Sequence, residues 1–154
     1  MPRINFGSFS LDAPSTWSLT TIILQGPAVD DDMSKGMLTA KKSKPFNQNL
    51  IATMEPVADS ETAESYVKRQ TEGLIQAGVQ RTETAKPETI KLSSGLEGLM
   101  TERSVVGPGG ERVRQLQLVT IKNNVAHTLI ASNIDGLSYD KHKAQFKEML
   151  ASFE

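Results

Sequence analysis

The sequence predicts an α+β fold: a curved antiparallel β-sheet with two or more helices packed on one face. Two observations carry the prediction. Two stretches, near residues 62–77 and 138–153, repeat apolar residues every three to four positions, the period of a helix lying on a core. Between them, three long stretches rich in β-branched and aliphatic residues are joined by Gly107-Pro108-Gly109-Gly110 and by Asn123-Asn124, residues that tolerate the positive φ a hairpin requires. The order is therefore strands, helix, strand meander, helix, which gives an antiparallel sheet carrying helices in one domain over residues 1–154.

Short strands are expected at Ile4–Phe6 and Phe9–Leu11, followed by the turn Asp12-Ala13-Pro14-Ser15 and a long strand Trp17–Gln25. Gly26-Pro27 is expected to stop that strand, because proline has no N–H for a ladder. The strand is apolar on both faces: Leu19 and Ile23 fall on one, Ile22 and Leu24 on the other. We expect Leu19 and Ile23 to hold the helices, Ile22 and Leu24 to face outward, and Trp17 to anchor the core. Residues 28–36 read as a polar loop, with a short strand at Gly36–Lys41 and a further strand at Asn49–Glu55 closed by Pro56.

The first helix has Asp59 or Ser60 as its expected cap and Gly78 beyond its end. Its stripe is Ala63, Tyr66, Val67, Gln70, Leu74 and Ala77. A strand near Val79–Thr84 follows, then Leu96–Val106, Arg112–Lys122 and Val125–Asn133. Ser138 is the expected cap of the last helix, whose stripe is Tyr139, His142, Phe146, Met149, Leu150 and Phe153.

With 17 basic and 18 acidic residues, the net charge of −1 gives no electrostatic case for nucleic acid or an anionic membrane. There is no cysteine, so thiolate nucleophiles, disulfides and cysteine-ligated metals are excluded. Met1-Pro2-Arg3-Ile4-Asn5 leads straight into strand-like sequence without an apolar leader core, and the expectation is a cytoplasmic protein.

Catalytic signals are sparse. Gly107-Pro108-Gly109-Gly110-Glu111 lacks the Gly-Lys-Ser/Thr ending of a phosphate loop and reads as a hairpin tip. Asp30-Asp31-Asp32 lacks the alternating oxygens and terminal Glu of a calcium loop, and Lys41-Lys42-Ser43-Lys44 reads as a solvated loop. His127 sits mid-strand without a local partner at triad or metal-ligand spacing, and His142 lies on the stripe of the last helix. We expect no enzyme, no metal and no cofactor.

The sheet is the better candidate surface. In Val113–Ile121, alternation puts Leu116 and Leu118 on one face and Gln115, Gln117, Val119 and Ile121 on the other. An exposed face mixing aliphatic residues with glutamine, which both donates and accepts, suits an apolar partner that also offers backbone polar groups; the alternative is that the loop at residues 26–48 or a dimer partner covers this face.

Phe9-Ser10-Leu11, then Pro14-x-x-Trp17 and the strand Thr20–Leu24, resemble the opening of DcrB-like domains. The helix with Tyr66-Val67, the meander with Gln115-Leu116-Gln117 and the final Phe146–Phe153 follow in that family's order. The turn is a residue or two longer than the usual Pro-Gly-Trp form. The resemblance implies the fold of the photosystem protein PsbP. In its length and N-terminus the chain is similar to Eag-type chaperones of type VI secretion, cytoplasmic homodimers that hold the N-terminal hydrophobic helices of secreted effectors. By that analogy Ile22, Leu24, Met54, Gln115 and Gln117 line the groove, with Val119 and Ile121 beside it. Gln115→Ala or Leu24→Asp should then impair effector binding without lowering the melting temperature. The resemblance also leaves open an exported PsbP- or DcrB-like binding module of the cell envelope.

Overall fold

The computed structural model describes residues 1, 3–5, 10–17, 19–29, 46–107 and 109–154. The strand expected at Gly36–Lys41, the Asp30–Asp32 run and the Lys41–Lys44 run lie outside the described residues.

Among the described residues, β1 (Arg3–Asn5) and β2 (Ser10–Asp12) form a two-stranded antiparallel pair. Among the same residues the main sheet has seven antiparallel strands in the order β3-β4-β9-β8-β7-β5, with β6 also on β7. They are β3 (Thr21–Val29), β4 (Phe46–Pro56), β5 (Arg81–Glu83), β6 (Glu88–Lys91), β7 (Glu97–Val106), β8 (Arg112–Lys122) and β9 (Val125–Ile134). Helix α1 (Ala63–Gln76) follows β4, and α2 (Leu137–Ala151) follows β9.

The expected meander forms as a β7-β8-β9 ladder. Asn123 and Asn124 take φ of 52° and 58°, the left-handed pair of a tight hairpin whose twist matches its strands. At the other turn Gly110 has φ of 79°, and the Gly107 N–H donates to the Glu111 carbonyl. The short strand β6 was not expected; Glu88-Thr89-Ile90-Lys91 is too short and polar to show a period.

Gly26-Pro27 does not stop β3. The pairing with β4 shifts register between Gln25 and Ala28, and the strand runs on to Val29, so Ala28 and Val29 are strand rather than loop. A proline is tolerated there because β3 is an edge strand among the described residues and needs no N–H on its outer side. The kink brings the backbones close. A Cβ on Gly26 would lie 3.3 Å from Gln48 Cβ.

Both helices start later or earlier than their expected caps. Thr62, not Asp59 or Ser60, caps α1: its Oγ1 accepts from the Ser65 N–H while Ser65 Oγ accepts from the Thr62 N–H. Gly78 takes the positive φ expected after α1. Helix α2 starts at Leu137 after Gly136, with φ of 109°, so Ser138 lies inside its first turn, where its Oγ accepts from Asn133 Nδ2.

The fold class is as expected, but the helices do not share a face. Leu116 and Leu118 pack with Met100, Ala131, Leu50 and the α2 residues Tyr139, Phe146 and Leu150. Val119 and Ala126 pack with Tyr66 of α1, flanked by Val67 and Ile121. Leu118 and Val119 are neighbours in one strand and point to opposite faces, so α1 and α2 sandwich the sheet. That is why several strands are apolar on both faces.

Trp17 is not a core anchor. Its N–H closes a turn on the Pro14 carbonyl, and the indole is 71% exposed.

Candidate functional site

Cross-strand register assigns each residue to a face. Ile22 opposes Ala52, Ala52 opposes Leu129, and Leu129 opposes Leu118, so the even-numbered residues of β3, β4 and β8 share the α2 face with the odd-numbered residues of β9. Helix α2 covers the middle of that face but leaves β3 largely open. Between the helix and the edge strand runs a groove with two lobes that meet at Leu24 and Leu50.

One lobe, of about 250 Å³, lies between the β3 kink and the α2 residues His142, Phe146 and Met149. The other, of about 260 Å³, is walled by Ile22, Leu24, Leu50, Ala52, Met54, Leu129 and Phe153, with His127 as its polar ring. Leu24 is 54% exposed although it faces the same side as the buried Leu50. A row of aliphatic side chains open to water beside a sheet edge is a costly surface, and it makes this groove the candidate site.

Of the expected site residues, the structure brings Ile22, Leu24 and Met54 together in this groove. It puts Gln115, Gln117, Val119 and Ile121 on the opposite face, so the seven do not form one surface. The error is one of parity. Even-numbered residues of β3 and β4 were joined to odd-numbered residues of β8, and the register pairs even with even. Nor does Ile23 hold a helix as expected. Ile22 and Leu24 face the α2 core, while Ile23 opposes Ile51 on the α1 face and is 65% exposed.

On the α1 face, Val119 is fully buried against Tyr66, and Gln117 is 2% exposed. The Tyr66 hydroxyl donates to Glu55 Oε2 at 2.7 Å; burial first, then Glu55, push its pKa up. Gln115 is engaged at both ends: Arg103 Nε donates to its Oε1 at 2.9 Å, and its Nε2 donates to Ser132 Oγ at 3.3 Å. Arg103 is buried, so Gln115→Ala would strip a hydrogen-bond acceptor from a desolvated guanidinium. The expected outcome is a loss of about 1–3 kcal/mol in urea unfolding, contrary to the unchanged melting expected of an open-face residue. An unfolding midpoint equal to wild type would mean that the Arg103–Gln115–Ser132 ladder contributes nothing.

The groove also recruits residues not expected to line it: Leu50, Ala52, Leu129, His127 and Phe153. Leu50 and Ala52 share the alternation of Met54, so the β4 pattern held that signal. His127 and Phe153 are 26 positions apart and meet only in the fold, with ring centroids 5.0 Å apart.

The densest polar cluster lies elsewhere on the α2 face. Glu102 of β7 accepts from Lys143 Nζ (2.6 Å), Thr84 Oγ1 (2.7 Å), the Tyr139 hydroxyl (3.0 Å) and Arg114 Nη1 (3.1 Å). Every oxygen of this carboxylate is occupied, which is the arrangement of a structural tie between β7, β8 and α2. Among the described residues, no group of three His, Cys, Asp or Glu is placed to hold a metal ion, and no helix is long and apolar enough to cross a membrane.

The chain is similar in structure to PA94, a Pseudomonas aeruginosa protein of unknown function, with a TM-score of 0.70 and 12% identity over 100% of this chain and 96% of that one. It is also similar to the cyanobacterial PsbP (CyanoP) of Synechocystis sp. PCC 6803, with a TM-score of 0.53 and 14% identity over 93% and 96% of the two chains. The fold is PsbP-like. No protein-family model and no curated protein matches the sequence.

Proposed function

We propose that this protein is a cytoplasmic, homodimeric chaperone or adaptor that binds the N-terminal hydrophobic helices of a type VI secretion effector, and that it is not an enzyme. The observation that carries the reading is the open apolar groove between β3 and α2, floored by Leu24, Leu50, Ala52 and Leu129 and closed at one end by Met54, His127 and Phe153. A membrane-type helix in water exposes a large apolar surface. Burying such a surface gains about 25 cal/mol per Å², before the cost of association is subtracted. The PsbP-like fold and its likeness to PA94 over the whole chain are compatible with the family resemblance that first suggested this role.

Within this reading Ile22, Leu24 and Met54 contact the client, and Gln115, Gln117, Val119 and Ile121 hold the α1 face together. Among the described residues no strand pairs with the outer edge of β3, which leaves that edge for a second copy or for the client itself. The test is co-expression with the N-terminal hydrophobic segment of the effector encoded beside this gene. Co-purification of that segment with wild-type protein, and its loss with Leu24→Asp, is the expected result. Failure of the segment to co-purify with wild type would sink the reading. The rival, an exported PsbP-like binding module, draws on the same fold, and a leader processed from the native N-terminus would favour it.

A further inference from the structure

We propose that occupancy of the groove is proton-linked through His127: an apolar segment binds best while the imidazole is neutral, and protonation of the ring weakens its hold. The proposal rests on the groove reading above and adds its regulation.

His127 lines the more apolar of the two lobes. Its neighbours across the sheet are Met54 of β4 and Thr120 of β8. The Thr120 hydroxyl is committed to the Glu97 carbonyl at 2.9 Å. Just past the end of α2 the ring meets Phe153 at 5.0 Å, with Glu154 as the exposed residue beyond. The charge that bears on the ring is a cation, Lys122, two residues past Thr120 on the same face of β8. No carboxylate forms an ion pair with His127 among the described residues. Burial first, and then Lys122, already push its pKa below the ordinary histidine value.

In the empty groove an imidazolium can still be hydrated from the open side. An apolar side chain seated in the lobe removes that water and supplies no acceptor in return. The charged ring then loses solvation that the neutral ring scarcely needs. Binding and protonation therefore oppose each other, and by linkage the opposition is reciprocal: protons weaken the bound state, and a bound segment lowers the pKa of the ring further. The second histidine of the groove, His142, sits in the other lobe with its Nδ1 2.7 Å from the Ser138 carbonyl. It serves as the internal control.

The probe is a fluorescent, lysine-flanked Leu/Ala helical peptide, titrated by anisotropy from pH 8 to pH 5 against wild type, His127→Gln and His142→Gln. Wild type should bind at pH 8 and weaken by about three- to fivefold at pH 5.5, because a one-unit depression of the ring pKa in the complex reaches its limiting factor of about ten only below both pKa values. His142→Gln should keep that dependence, and His127→Gln should flatten it. Because a substituted ring could disturb the lobe, NMR titration of the His127 ring in the wild-type protein supplies a second readout. Its pKa should fall when peptide saturates the groove. Peptide binding that is independent of pH, or a ring pKa unmoved by peptide, overturns the proton link and leaves the groove reading standing. No binding at pH 8 overturns the groove reading and the link together.

Discussion

Glu102→Ala is expected to destabilise the protein by about 3 kcal/mol, the lower end of the range for breaking a buried ion pair. The carboxylate is 6% exposed and ties four donors from three parts of the chain: Thr84 after β5, Arg114 on β8, and Tyr139 and Lys143 on α2. Removing it strands the Tyr139 hydroxyl and one side of the Arg114 guanidinium. Lys143 is partly exposed and can turn to water, and Arg114 keeps Asp135 at 2.8 Å, which holds the loss to the low end. Urea unfolding at pH 7 measures it; a loss under about 1 kcal/mol would mean the network is idle.

The same group gives a pH dependence with a definite sign. Burial by itself raises the Glu102 pKa, but hydrogen bonds from Lys143, Thr84 and Tyr139 outweigh it and bring the value from 4.5 down to about 2. A depressed carboxylate pKa stabilises the fold fully above the unfolded value, and that contribution is lost as pH falls from there through about 2. Wild type should therefore lose melting temperature between pH 5 and pH 2 more steeply than Glu102→Gln. Parallel curves for the two proteins would contradict the assignment.

Leu24→Asp is the functional counterpart, with an expected fall in apolar-helix binding of roughly 100-fold or more, because the new carboxylate would have to be desolvated under the client. Leu24 stands where the two lobes meet, so one substitution disturbs both. Its cost to the fold should stay within about 1 kcal/mol, since the residue is half exposed on an edge strand and only strand propensity and partial packing are lost. Leu118→Ala is the contrasting control. That side chain is fully buried in the α2 core, and its truncation should cost about 2–5 kcal/mol. Paired measurements of peptide anisotropy and urea unfolding separate the two cases. If Leu24→Asp unfolds the protein as Leu118→Ala does, the groove wall is core and not a docking surface.

Much of the fold was legible in the chain itself. The stripes of Ala63-Tyr66-Val67-Gln70 and Tyr139-Phe146-Leu150 marked both helices, and Asn123-Asn124 marked the tightest hairpin, because these signals depend on residues within a turn or two of one another. The run Arg112–Lys122 was readable to the residue, as was the division of Leu116 and Leu118 from Gln115, Gln117, Val119 and Ile121. The candidate site was legible only in part. Ile22, Leu24 and Met54 were found as an apolar set without the means to say which face of β8 they join, or that Phe153 and His127 close their groove.

What the sequence alone determined is therefore local: the period of each element, its turns, and the fact that β3 is greasy on both sides. Tertiary structure alone decided that β4 pairs with β9, that β3 lies at the edge of the described sheet and so keeps Pro27 inside a strand, and that α1 and α2 take opposite faces. The physical reason is that alternation within a strand is set by the sterics of its own backbone. The parity between strands dozens of residues apart is set by which register buries the most apolar surface in three dimensions. A shift of one residue there exchanges the two faces of the whole strand, and with them the groove and the core.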